Sequence, residues 1–203
     1  MTTLDIAHRD IERQDIERRS TEALAGGRVN SAIAAAHLQW VRDYHGDDAV
    51  KDLFWKLDRE VAEELGADGG WLSFATLIAL DRAIERRFGR GRRGFMRELG
   101  RYSAHLNLTG SHVRGAAVHD FLHRSAVLHA RFQNFGSVKY EELDLTSGRM
   151  THTAECFSPA WCASAIGYYE QALVMQEAIP LRVDEVSCRC NGAARCTFEL
   201  QWS

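Results

Sequence analysis

The period of the hydrophobic residues changes at Gly136, and this change limits the folds open to the chain. Five segments before it show helical spacing: residues 30–45, 48–57, 73–88, 94–108 and 112–133. After it, apolar and polar residues alternate in two pairs of short segments, which is the pattern of β-hairpins. One further helical segment separates the two pairs. The sequence therefore predicts an α+β fold in which N-terminal helices pack on an antiparallel sheet, in the order helices-β-β-α-β-β.

Capping residues mark where the predicted helices begin. Asn30 or Ser31 can cap the first helix, and Ser73 can cap the third, because their side-chain oxygens accept hydrogen bonds from the first free backbone amides. Only two prolines occur in the 203 residues. Long uninterrupted helices are therefore expected.

Turn residues mark the two predicted hairpins. The first joins residues 137–145 to residues 150–157 through a turn that contains Gly148. The second joins residues 181–188 to residues 195–202 through a turn that contains Asn191-Gly192. A helix that opens at Ser158 or Pro159 is expected between them.

The N-terminal residues 1–27 are highly charged and contain the echo DIAHR, DIERQ, DIERR. A helix turns about 100° per residue, so isoleucines five positions apart do not share a face. We interpret residues 1–27 as an exposed, charged helical extension, with a dimer contact as the alternative. Residues 28–203 are interpreted as one compact domain, which is an ordinary size for a single core.

Composition excludes several classes of function. The net charge of −3 gives no general attraction to nucleic acid or to an anionic membrane, and the arginines between Arg82 and Arg101 are interspersed with glutamates. No apolar run reaches the roughly 18 residues of a membrane span, and the N-terminus lacks a signal-peptide core. A cytoplasmic location is expected, where cysteines are reduced or metal-bound more often than paired in disulfides.

Five cysteines, all after residue 155, form the densest cluster of reactive side chains. Four soft or borderline ligands from different elements can hold a tetrahedral metal ion. Cys162, Cys188 and Cys196 are the first candidates, and the fourth ligand could be Cys156, Cys190 or Glu185. Alternation along a strand favours Cys190, because Glu185 and Cys188 share a face only if the strand ends or bulges there. Buried, inert thiols are the alternative to a metal site.

The cysteine pattern resembles the 4-vinyl reductase domain, and it is especially similar to the sensor domains of phenol-responsive bacterial activators. The resemblance covers roughly residues 136–200 and rests on Cys162, Gly167, the Glu185-x-x-Cys188 unit and Cys196-x-Phe198. In that family such positions bind a structural zinc ion. Carried over by position, the resemblance implies zinc ligands at Cys162, Glu185, Cys188 and Cys196, with Cys190 a bystander. The family's fold is related to haem-NO-binding domains and to transport-particle subunits.

The resemblance also implies a function. Family members hold a hydrophobic ligand in a cavity between helices and sheet, and they often dimerise. The chain is accordingly expected to be a stand-alone sensory or regulatory domain that binds an apolar or aromatic molecule, forms a homodimer and acts through a downstream regulatory protein, because it lacks ATPase and DNA-binding domains. It also lacks the Tyr-x-Ser-x-Arg haem signature.

Candidate ligand contacts come from the histidine-rich segment 112–133 and the first hairpin. Aromatic and imidazole side chains suit an aromatic ligand or an apolar ligand with a polar head. The candidates are His112, His119, Phe121, His123, Phe132 and Tyr140. The echo of a zinc-protease motif in HDFLH has aspartate in place of glutamate and no evident third ligand, so it does not predict catalytic zinc.

Two other functions stay open from the sequence. One is a ligand-free, dimeric interaction or scaffold protein, as the relation to transport-particle subunits permits. The other is an accessory role in tetrapyrrole vinyl reduction. The sequence has no nucleotide-binding glycine motif and no convincing nucleophile–base pair, so an enzyme is the least favoured class.

Overall fold

The computed structural model describes residues 22–92, 94–108 and 117–203. Most of the predicted extension over residues 1–27, and the candidate His112, therefore lie outside the described residues. The helices are α1 (Ser31–His45), α2 (Asp47–Lys56), α3 (Arg59–Gly66), α4 (Phe74–Ile84), α5 (Phe95–Leu108), α6 (Val118–Leu128) and α7 (Pro159–Met175). The strands are β1 (Arg28–Asn30), β2 (Trp71–Ser73), β3 (Ser137–Asp144), β4 (Ser147–Thr153), β5 (Pro180–Ser187) and β6 (Cys196–Trp202).

The predicted α+β architecture is confirmed, with the helices first and the main sheet after Gly136. The main sheet is antiparallel in the order β3-β4-β6-β5, so α7 connects β4 to the far edge strand. The sequence did not indicate the small ribbon of β1 and β2, whose three-residue strands are too short to show a period. No helix within the described ranges has the length and apolarity needed to cross a membrane.

The helix caps form as the sequence predicts. The Asn30 side chain accepts a hydrogen bond from the Ala32 amide, and the Ser73 hydroxyl accepts one from the Thr76 amide. The first hairpin turns two residues earlier than expected. The Asp144 carboxylate accepts a hydrogen bond from the Thr146 amide at 2.8 Å and closes the turn, so Ser147 and Gly148 already belong to β4.

The buried side chains of the described residues form two hydrophobic cores. The first lies among α1, α2, α4 and α5 and contains Trp40, Leu77 and Phe95. The second lies between the main sheet and helices α6 and α7 and contains Phe121, Met150 and Phe198. Because α5 belongs to the first core and α7 faces the second, their contact joins the two.

Two glycines allow α5 and α7 to cross at very short range. A Cβ atom added to Gly100 would lie 1.9 Å from the Ser164 carbonyl oxygen, and one added to Gly167 would lie 1.8 Å from the Arg97 carbonyl oxygen. Neither position therefore has room for a methyl group. The Glu170 carboxylate beside the crossing accepts hydrogen bonds from the guanidinium groups of Arg97 and Arg101, which adds an electrostatic link between the helices.

A polar pair is sealed inside the helical core. His37 on α1 and Asp81 on α4 are both 0% exposed, and His37 Nδ1 lies 2.6 Å from Asp81 Oδ1. His37 Nε2 and Asp81 Oδ2 have no hydrogen-bond partner. The two side chains therefore depend on each other for polar contact in an otherwise apolar core.

Candidate metal and ligand site

The candidate metal ligands are positioned by α7 and by the strands at the far edge of the sheet. Cys162 lies in the first turn of α7, which begins at Pro159 after Ser158. Glu185 lies on β5, Cys188 follows that strand, and Cys196 begins β6. The register of β5 shifts between Glu185 and Ser187. This bulge changes the alternation of side chains and lets Glu185 and Cys188 face the same point.

The four side chains converge in the interior. One ligand atom from each of Cys162, Glu185, Cys188 and Cys196 lies within 4.8 Å of all the others. The Cys162 sulfur lies 3.6 Å from that of Cys196 and 3.8 Å from that of Cys188. The three thiols are buried, and Glu185 Oε1 is buried without a hydrogen-bond partner. Three sulfurs and one carboxylate oxygen are a donor set that suits a tetrahedral ion.

Hydrogen bonds within the cluster lower the pKa of two thiols and raise the pKa of the third. Hydrogen bonding with Cys162 is the main cause that lowers the pKa values of Cys188 and Cys196, and the Arg189 amide also donates to the Cys196 sulfur. Hydrogen bonds with Cys188, Cys190 and Cys196 raise the pKa of Cys162. Burial is the main cause that raises the pKa of Glu185 to about 8. Burial keeps the Glu185 carboxyl group protonated. A cation placed among these groups would favour the ionised carboxylate and so offset the effect of burial.

The two remaining cysteines lie outside this group of four. Cys190 is buried in the 3₁₀ turn Arg189–Asn191 but does not belong to the converging set. Cys156 lies in the loop before α7, where its sulfur donates a hydrogen bond to the Ala25 carbonyl oxygen at 3.2 Å. Cys156 therefore provides an internal comparison: a buried thiol on the same chain with a different partner.

A small cavity lies where the two cores meet, directly beside the cysteine cluster. Its volume is about 20 Å³. Side chains from both cores and from the loops between them enclose it: Gln133, His152, Ala154, Cys156, Phe157, Trp161, Cys162, Ala165, Arg189, Cys196 and Phe198. The lining combines aromatic rings with a few polar groups, as small-molecule sites do, but the volume corresponds to about one water molecule.

The polar groups of this junction cavity are held by neighbours. His152 Nε2 and the Tyr169 hydroxyl share a hydrogen bond of 2.5 Å. Desolvation lowers the pKa of His152 to about 3, so its ring is neutral. The guanidinium of Arg189 stacks 4.7 Å from the centre of the Phe157 ring and donates to the Ala154 carbonyl oxygen. Arg189 and Phe157 thus form one wall together.

The ligand contacts predicted from the sequence lie elsewhere and only partly together. His119 Nδ1 lies 2.6 Å from the Tyr140 hydroxyl, and the His123 ring meets the Tyr140 ring at 4.8 Å, so these three form a cluster between α6 and β3. Phe121 is buried in the second core, whereas Phe132 packs against the first. None of the five described candidates lines the junction cavity.

Among the residues that line the cavity, the sequence singled out Cys156, Cys162 and Cys196 as candidate metal ligands and none as a ligand contact. Gln133, His152, Trp161 and Arg189 come from four separate segments, and no spacing links them. The one available signal was Trp161, a large aromatic residue immediately before Cys162.

Solved structures of H-NOX domains share this fold. A structure determined to probe haem distortion in the H-NOX family is 14% identical, with a TM-score of 0.65, and the match covers 86% of this chain and 95% of that one. An Fe(II) unliganded variant from K. algicida is 11% identical, with a TM-score of 0.64 and coverages of 86% and 96%. The S. oneidensis protein in the Fe(II)NO state is 13% identical, with a TM-score of 0.60 and coverages of 86% and 99%.

The comparison bears out the expected relation to haem-NO-binding domains at the level of the fold. No protein-family model matches the sequence, and no functionally curated protein matches it significantly. The resemblance to the 4-vinyl reductase domain is therefore not confirmed. At 11–14% identity, the H-NOX structures establish a common architecture and nothing finer.

One expectation about cofactors is corrected. A structural zinc was predicted as the chain's cofactor, whereas the similar structures are described by haem and by its Fe(II) states, which contradicts that prediction.

The junction cavity does not fit haem. The junction cavity of about 20 Å³ is far smaller than a cofactor site of about 300 Å³ or more, and the His152 Nε2 atom that lines it is already bonded to Tyr169.

Proposed function

We propose that this chain is a small-molecule-binding sensory domain whose ligand, an apolar or aromatic compound with a polar group, enters the junction cavity between the two cores. The observation that carries the proposal is the composition of that cavity. Phe157, Trp161 and Phe198 supply apolar walls, while Gln133, His152 and Arg189 supply polar groups. The similar H-NOX structures support it, since one of them is an oxygen-binding domain related to soluble guanylate cyclases.

The small volume of the cavity gives the domain a way to report binding. A ligand larger than water can enter only if the walls separate, and those walls belong to different cores: Trp161 packs with the first and Phe198 lies in the second. A ligand that binds only the separated arrangement shifts the population towards it. Binding would therefore be coupled to the relative position of the helices and the sheet.

We expect phenol to stabilise the protein through this cavity. A ligand at a hundred times its Kd adds about 2.7 kcal/mol of stability, which corresponds to a rise in Tm of roughly 5–10 °C for a chain of this length. Ala165→Leu adds bulk at the cavity wall and should abolish the rise, measured against the variant's own Tm without phenol. A thermal-shift titration checks both results.

His123→Ala is the matched control, because it removes a ring from the His119–Tyr140 cluster and leaves the junction cavity intact. The phenol-dependent rise should persist in this variant. If His123→Ala abolishes the rise and Ala165→Leu does not, the ligand site is the histidine cluster predicted from the sequence. No rise in any of the three proteins would contradict ligand binding itself.

We also propose that Cys162, Glu185, Cys188 and Cys196 bind a thiophilic metal ion. The unpartnered Glu185 Oε1 supports this, because a buried carboxylate oxygen without a donor is costly unless a cation satisfies it. Four protein ligands leave no open coordination position, so the ion would have a structural role. It would fasten β5 and β6 to α7 beside the cavity.

Cys188→Ser should reduce the metal content of protein purified in reducing buffer from about one ion per chain to well below that. The loss should lower stability by about 4 kcal/mol where free metal exceeds Kd a thousandfold. Elemental analysis and urea unfolding measure the two effects. Cys156→Ser is the control, because serine can keep the hydrogen bond to Ala25 and the residue lies outside the cluster. Equal metal content in both variants would exclude the site.

The regulatory output requires partners. We propose that the chain acts as a homodimer and signals to a downstream regulatory protein. The ligand-free scaffold is the second candidate function, and the exposed apolar side chains Ile179 and Leu181 favour it. The phenol titration distinguishes the two functions, because a scaffold would show no ligand-dependent rise in Tm.

A further inference from the structure

The edge strand β5 presents an unusual surface. It pairs with β6 on one side, and no described residue pairs with its other side. Exposed apolar side chains concentrate around it, since Ile179 is 64% exposed, Leu181 60% and Val186 49%. An open strand edge carries unpaired backbone donors and acceptors that can join a second strand. The apolar side chains give such a pairing a hydrophobic contribution.

Bulges limit how a second strand can add to this edge. The register of β5 shifts between Pro180 and Arg182 and again between Glu185 and Ser187, so regular backbone is confined to Arg182–Glu185. A short regular edge suits a closed pair of copies better than extended strand addition. In a twofold dimer each copy uses the same edge, and the pairing ends there.

Symmetry and charge together select one register. Suppose that two sheets join edge to edge about a twofold axis, with their inner faces on the same side. One residue of β5 must then lie opposite the same residue of the second copy. Centring on Arg182 or Asp184 places identical charges opposite each other, and centring on Glu185 places two carboxyl groups opposite each other. Centring on Val183 instead places Arg182 opposite the second copy's Asp184, and the pair occurs twice. Opposite charges across strands stabilise the pairing, and like charges oppose it.

We propose that two copies of this chain associate through β5, antiparallel and centred on Val183, which joins their main sheets into one. This assigns an interface to the homodimer of the proposed function and rests on that dimer. The same strand carries Glu185 and leads directly into Cys188. The interface is therefore continuous with the cysteine cluster and with the wall of the junction cavity, so a change in the cavity can reach the partner copy through one strand.

Charge reversal tests this register. Arg182→Asp and Asp184→Arg each place like charges opposite each other twice, so each should weaken the dimer about tenfold to a hundredfold. The double variant Arg182→Asp/Asp184→Arg restores opposite charges and should recover most of the affinity. Sedimentation velocity of the full chain over a range of concentrations gives the dimer Kd in each case. Arg59→Asp reverses a charge on α3, away from the sheet, and should leave Kd unchanged.

A fold control is needed because Arg182 and Asp184 also pair within their own strand. Thermal unfolding shows whether each variant is folded. Val186→Lys is a further variant, which places a charge on the same edge and leaves the Arg182–Asp184 pair intact.

A dimer that survives both single reversals, or a folded double variant whose dimer stays as weak as those of the single variants, overturns the proposal. A dimer lost only on deletion of residues 1–27 places the contact in that segment, which overturns the β5 interface and leaves the homodimer standing. A monomer at all concentrations overturns both, while the phenol titration tests ligand binding independently.

Discussion

Replacing Gly167 by alanine should destabilise the protein by about 3 kcal/mol or more, which places it at the upper end of overpacking effects. The new methyl group would lie 1.8 Å from the Arg97 carbonyl oxygen. That atom belongs to the backbone of α5 and cannot rotate away, so α5 and α7 must separate. Separation would also weaken the Arg97–Glu170 contact and the junction of the two cores. Urea unfolding measures the loss.

Gly66→Ala is the matched control for this substitution. Gly66 ends α3, and a Cβ atom there would meet nothing within 4 Å. Alanine should leave the free energy of unfolding unchanged or raise it by up to about 1 kcal/mol, because glycine is the poorer helix former. Equal effects of the two substitutions would show that the helices do not cross at the observed distance.

Removing Asp81 should cost about 3–5 kcal/mol, the range seen when one partner of a buried polar pair is deleted. Asp81→Leu leaves the His37 ring in an apolar core with no partner for either nitrogen. A loss of this size is a large fraction of the about 5–15 kcal/mol that stabilises a typical domain. Urea unfolding followed by far-ultraviolet circular dichroism measures it.

The double variant His37→Leu/Asp81→Leu isolates the cause. Replacing both members of a buried polar pair by apolar residues of similar volume is often neutral or stabilising. The double variant should therefore be more stable than Asp81→Leu alone. A double variant that loses at least as much as the sum of the two single variants would show that packing, and not the unpaired polar group, sets the cost.

The sequence predicted the structural elements that depend on residues close together in the chain. Asn30 and Ser73 cap the helices they precede because each cap needs one side chain and a nearby amide. The change of period at Gly136 correctly located the start of the main sheet. The hairpin turn was misplaced by two residues, because the Asp144 side chain closes the turn earlier than the predicted turn around Gly148.

The candidate site was less predictable because it depends on a bulge and on contacts between distant segments. Spacing left Glu185, Cys156 and Cys190 as alternatives for the fourth ligand. The register shift after Glu185 brings that carboxylate to the thiols, and strand alternation does not encode such a shift. The cavity is even harder to predict from the sequence, since its polar side chains Gln133, His152 and Arg189 meet only after the two cores pack together.

Native mass spectrometry of the intact chain, purified without denaturation in reducing buffer, tests the central claim most directly. The proposed sensor function predicts one small organic molecule bound per chain, lost in Ala165→Leu and kept in His123→Ala. It also predicts no bound haem, because the described cavity is too small and His152 is already paired. A chain that carries haem, or one that carries an organic molecule equally well in Ala165→Leu, would contradict the proposed site.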